Sequence, residues 1–137
     1  MQKDLQELVD ISQFYGKDNR YVIAGGGNTS MKTKDRLWVK ASGFALSDIS
    51  EEGFAIIDRN KLKQISTKTY SEDPFERERQ IKDDLTEANI TRERRPSVES
   101  SLHDLIPGKF VVHLHPTLVN GLMCGNDAEA RVEALFG

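Results

Sequence analysis

His113-Leu114-His115 sets two imidazoles two residues apart. Side chains alternate between the faces of a β-strand, so this spacing projects both rings from one side, close enough to share a metal ion. Zinc, or another ion that prefers imidazole, is the chemical candidate. Taken alone, two such histidines are more often surface or hydrogen-bonded residues, and their neighbours decide the reading. Glu99 lies shortly before this strand and four residues ahead of His103. A carboxylate beside a divalent cation is the acid/base group that enolisation or its reverse requires.

A second set of residues suits an anion. Gly25-Gly26-Gly27-Asn28-Thr29-Ser30 is a glycine-rich turn that lets successive backbone N–H groups converge. It is not a P-loop, because no Gly-Lys-Ser/Thr follows, and a tight hairpin turn is the alternative reading. Ala41-Ser42-Gly43 offers another small, amide-rich corner, and Ser97 adds a hydroxyl.

The elements that must position these groups follow from periodicity and punctuation. Leu5, Leu8, Val9, Ser12 and Tyr15 recur at helical spacing, so 3–15 reads as an amphipathic helix ended at Gly16 in the left-handed conformation. From Tyr21 to Ser42 a short apolar run, the glycines, Met31 and Leu37-Trp38-Val39 flank the polar Lys34-Asp35-Arg36, a β-hairpin signature. Phe54–Ile57 reads as a strand, with Asp58 capping a short helix through Leu62 and Ile65. Asp73-Pro74 starts a helix over about 74–89, on which the run Glu76 to Arg79 is a solvated face. Ser97 is expected to cap a helix through Leu105, closed at Pro107-Gly108. The strand Phe110–His115 then stops at Pro116, a helix covers about 117–123, and Asp127 caps another that reaches the last residue. Strands mix with helices without regular βαβ alternation, which favours an antiparallel or mixed sheet covered by helices.

Bulk properties narrow the function. At 137 residues the chain forms a single domain, 1–137. With 37% hydrophobic and 30% charged residues it is somewhat polar for a compact domain, which fits a thin layer or part of a larger assembly. A net charge of −3 with interleaved signs leaves no footprint for nucleic acid or anionic lipid. Met1 to Asp10 lacks the apolar core of a signal peptide, and no apolar run approaches the roughly 20 residues of a membrane span, so a cytoplasmic protein is expected. Cys124 has no disulfide partner and, among Leu122, Met123 and Gly125, reads as a small buried apolar residue.

In order, Gly25-Gly26-Gly27-Asn28-Thr29-Ser30, Val39-Lys40-Ala41-Ser42-Gly43, Pro96-Ser97-Val98-Glu99 with His103, and Val111-Val112-His113-Leu114-His115-Pro116 resemble the class II aldolase/adducin family, from about residue 5 to the end. The resemblance implies a three-layer α/β/α fold with a central, mainly antiparallel or mixed sheet, assembled as a homotetramer. It implies that His113 and His115 are two of three zinc ligands, that Glu99 shuttles a proton, and that Asn28, Thr29, Ser42, Gly43 and Ser97 bind phosphate or substrate. The family's third zinc histidine would lie beyond residue 137, so the chain reads as a truncated domain with an incomplete Zn2+ site and weak or absent zinc. Val98 stands where short sugar-phosphate aldolases carry a second serine, which points to the longer bacterial branch similar to rhamnulose-phosphate aldolase/dehydrogenase fusions. The implied activity is cleavage of a ketose 1-phosphate to dihydroxyacetone phosphate and an aldehyde. A dehydratase or epimerase on the same scaffold, or a non-catalytic adducin-like assembly module, are the rival readings.

Overall fold

The structure, a computed structural model, describes residues 2–137. Its centre is a four-stranded, wholly antiparallel sheet in the order β3-β2-β1-β4, formed by β1 (Asn28–Lys32), β2 (Arg36–Lys40), β3 (Phe54–Asp58) and β4 (Phe110–His113). The strand pair β1–β2 is the hairpin expected across Lys34-Asp35-Arg36. Tyr21 to Gly27 is irregular rather than a strand, so the glycines lead into β1 from a turn.

Helix α1 (Gln2–Gly16) covers one face of the sheet. Leu8 and Val9 pack with Met31, Trp38, Ile49 and Phe54 in one buried cluster. The opposite face gathers Leu37, Val39 and Ile57 against Leu62 of α2 (Arg59–Thr67) and Ala88 of α3 (Pro74–Ala88). Each fully buried aliphatic side chain here contributes roughly 1.5–3 kcal/mol. Both helix starts are those the sequence predicts: Asp58 accepts from the N–H groups of Asn60 and Lys61, and Asp73 accepts from Glu76 N–H with Pro74 in the first turn. On the solvated face of α3, Arg79 pairs with Glu76 and Asp83.

Several expectations are corrected. Gly16 is absent from the left-handed region; it is required because a Cβ there would come within 2.4 Å of the Leu46 carbonyl carbon. Helix α4 spans Ser100–Leu105, and Ser97 does not cap it; the Ser97 hydroxyl instead accepts from Glu99 N–H at 3.2 Å and shapes the preceding turn. Asp127 makes no capping bond to α6 (Ala128–Phe136), because its carboxylate is held by Arg131. Strand β4 ends at His113 rather than His115.

Cys124 is exposed, not buried. It follows α5 (Thr117–Met123), and neither α5 nor α6 has a buried residue, so this segment has no core to enter. Among the described residues, no helix is long and apolar enough to cross a membrane.

Candidate active site

The site forms where β1 and β4 pair. Their register sets Asn28 directly opposite His113, and cross-strand partners share a face of the sheet. Helix α4 runs along that same face and brings Glu99, at its N-terminal boundary, into the pair. Asn28 Nδ2 donates to Glu99 Oε2 at 3.0 Å, while Glu99 Oε1 lies 3.2 Å from His113 Nδ1. That second approach misses hydrogen-bond geometry, leaving His113 Nδ1 buried and unpartnered.

The His113 and His115 rings lie on one side, 4.9 Å apart between centroids and tilted by 36°. Strand alternation carries past the formal end of β4 because His115 N–H is anchored on Tyr21 carbonyl at 3.1 Å. Glu99, His113 and His115 each offer a ligand atom within 4.8 Å of the others. Two imidazole nitrogens and a carboxylate suit zinc and related divalent ions, and the buried His113 Nδ1 makes no hydrogen bond inside the fold. The residues present therefore fit a metal ion, with one more protein donor than the two histidines alone.

Beside these donors is a cavity of about 300 Å³. It is lined by Gly25, Gly26, Gly27 and Asn28, by Ser42, Gly43 and Ser97, and by Glu99 and His115. Gly27 is conformationally obligatory: its φ is 72°, and a Cβ would meet Val22 Cγ1 at 2.6 Å. Of the predicted anion-site residues, four meet here. Thr29 does not: it is fully buried on the other face of β1, its hydroxyl 2.6 Å from Ser12 Oγ beneath α1. Adjacent residues of a strand face opposite ways, so the side chains of Asn28 and Thr29 do not enter the same pocket.

Lys40 is the site residue that sequence reasoning missed. It ends β2 at the cavity wall, 6% exposed, and its Nζ donates to the carbonyls of Phe44 at 2.7 Å and Gly25 at 3.3 Å. Burial lowers its pKa from the ordinary lysine value, and the Glu99 charge opposes that. An ammonium has three donors, so one is left for the cavity. The signal in the sequence was a lone cation closing the apolar run Leu37-Trp38-Val39. A larger apolar depression of about 810 Å³ between Arg20-Tyr21 and α5 lacks any convergent acid, base or ligand set.

The sequence matches the Class II Aldolase and Adducin N-terminal domain over residues 6–132. The chain belongs to the class II aldolase and adducin family. Within that family it resembles a solved N-terminal class II aldolase domain of a conserved protein from Thermoplasma acidophilum, with a TM-score of 0.77 and 29% identity, over 98% of this chain and 65% of that one. It is also 29% identical to the uncharacterized oxidoreductase YuxG of Bacillus subtilis (strain 168), over 98% of this chain and 20% of YuxG. The chain thus spans a fifth of the length of one relative and less than two thirds of the other.

Proposed function

We propose that this domain is the catalytic centre of a zinc-dependent class II aldolase that cleaves a ketose 1-phosphate of the rhamnulose or fuculose type to dihydroxyacetone phosphate and an aldehyde. The observation that carries the reading is the convergence of Glu99, His113 and His115 on one point beside a polar cavity. His113 and His115 would hold the zinc, with the Glu99 carboxylate in reach of the same ion. Zinc, when bound, supplies Lewis-acid polarisation of the substrate's carbonyl and hydroxyl oxygens.

The chain's own residues divide the remaining work. Asn28, Ser42, Gly43 and Ser97 form a cradle of amides and small hydroxyls for the phosphate, and Lys40 adds a positive charge behind it. Fixing the phosphate orients the carbon skeleton against Glu99. In the cleavage the C4 hydroxyl proton leaves to solvent, the C3–C4 bond breaks, and its electron pair passes to C3 as an enediolate. Glu99 takes up a proton from solvent and delivers it to C3, completing dihydroxyacetone phosphate. Asn28 orients that carboxylate by donating to Oε2.

The three-layer α/β/α arrangement belongs to the same proposal, supported by α1 on one sheet face and α2, α3 and α4 on the other. So does a homo-oligomeric state, tetrameric in the intact assembly. It is supported by the strongly exposed apolar side chains Phe75, Val98, Leu118 and Phe136. The retained histidines and glutamate favour an enzyme over an adducin-like module.

The test, on the intact gene product, measures bound zinc and the release of dihydroxyacetone phosphate from L-rhamnulose 1-phosphate and L-fuculose 1-phosphate. Stoichiometric zinc with cleavage, both abolished in His113→Ala, is the expected result. Tight zinc binding without cleavage of either sugar would overturn the aldolase assignment in favour of a dehydratase or epimerase.

A further inference from the structure

Three side chains on one face of β1 meet the α4 segment at intervals that match its turns. Residues two apart in a strand are separated by about 6.6 Å, and residues four apart in an α-helix by about 6 Å along the axis. Asn28, Ser30 and Lys32 therefore fall opposite successive turns of 99–106. Asn28 Nδ2 donates to Glu99 Oε2 at 3.0 Å. Ser30 Oγ lies 2.7 Å from His103 Nδ1. Lys32 Nζ donates to the His103 carbonyl at 2.6 Å and also to the Ile106 carbonyl, where the helix ends with its acceptors unspent. All three β1 side chains are buried, and the intervening Thr29 and Met31 turn away towards α1.

The middle rung is a fully buried imidazole in a position where an apolar side chain would pack. Its Nε2 is buried without a partner in the protein, so the polar ring is not there for packing alone. Its backbone N–H donates to the Glu99 carbonyl at 3.0 Å, and its ring stands 6.4 Å from that of His113. Any rotation or sliding of α4 on the sheet would move Glu99 relative to His113, and the Ser30–His103 bond resists both motions.

We propose that His103 is a positioning residue: bonded to Ser30, it fixes the register of α4 on β1 and thereby holds the Glu99 carboxylate beside His113. The catalytic consequence rests on the aldolase reading; the placement of Glu99 does not. Such constellations need their groups held within about 0.5 Å to act. Asparagine places an amide near the position of Nδ1 and keeps the bond to Ser30, whereas leucine fills the volume without it.

The experiment compares His103→Leu with His103→Asn by crystal structure, by zinc titration calorimetry and by the kcat and KM for retro-aldol cleavage. In His103→Leu the Glu99 carboxylate is expected to move by more than about 0.5 Å from its place beside His113. Zinc affinity should weaken about 10- to 100-fold. The fall in kcat should exceed any change in KM, and His103→Asn should recover most of each loss. If His103→Leu fails to fold, Ser30→Ala removes only the hydroxyl and is expected to shift the same three readouts in the same direction. An unmoved Glu99 with unchanged zinc affinity in either folded variant, or a loss that His103→Asn does not recover, overturns the proposal. Displacement of Glu99 in a protein that cleaves no ketose 1-phosphate would leave the positioning role standing and remove the aldolase reading alone.

Discussion

Asn28 and His113 stand opposite each other across the β1–β4 ladder, and the Glu99 carboxylate lies between them, 3.0 Å from the amide of one and 3.2 Å from the ring of the other. A sheet register and a helix start thus meet at one acid. Hydrogen bonds to a charged group contribute about 1.5–3 kcal/mol, so Asn28→Ala should lower kcat/KM by roughly 10- to 100-fold. Asn28→Asp sets a second carboxylate against Glu99 and should cost more. Steady-state kinetics on the cleaved ketose 1-phosphate distinguishes the two.

Glu99→Gln preserves shape and removes the exchangeable proton. Turnover should fall by about 10²-fold or more, and calorimetric zinc affinity should weaken by about 10-fold or more, because a carboxylate within reach of the ion becomes a neutral amide. Undiminished turnover in this variant would take Glu99 out of the mechanism.

Lys40→Met tests the charge behind the phosphate cradle. KM for the phosphorylated sugar should rise about 10- to 100-fold. Binding of the corresponding unphosphorylated ketose should change little. An equal effect on both ligands would mean that Lys40 serves only to tie Gly25 to Phe44.

Burial is the first cause that depresses the His103 pKa from 6.5 to about 4; Glu99 opposes it, and His113 and Lys32 add to it. Between those two values the unfolded chain binds a proton that the folded protein refuses, so stability rises with pH through this window. It is fully present above about pH 6.5 and declines towards pH 4, by up to about 3 kcal/mol. Urea unfolding at pH 7, 5.5 and 4.5 measures the slope, which should flatten in His103→Asn.

Thr29→Val removes the hydroxyl that meets Ser12 beneath α1. Stability should drop by about 1–2 kcal/mol with KM unchanged. A raised KM with unaltered stability would return Thr29 to the substrate site.

The sequence by itself determined what depends on near neighbours. The common face of His113 and His115, the caps at Asp58 and Asp73, the hairpin around Asp35 and the family resemblance all rest on spacings of a few residues, where backbone geometry leaves little choice. Only the tertiary structure decided which face of β1 serves the site. Asn28–Lys32 is buried throughout because helices cover both sides, so its polar and apolar residues show no period of two, and Thr29 was grouped with Asn28. Lys40, Ser30 and Lys32 acquire their roles from partners distant in sequence, and Cys124 is exposed because no sheet lies under α5. Local spacing fixes where a side chain points from its own element; packing between elements fixes what it meets there, since that depends on surfaces brought together from remote parts of the chain.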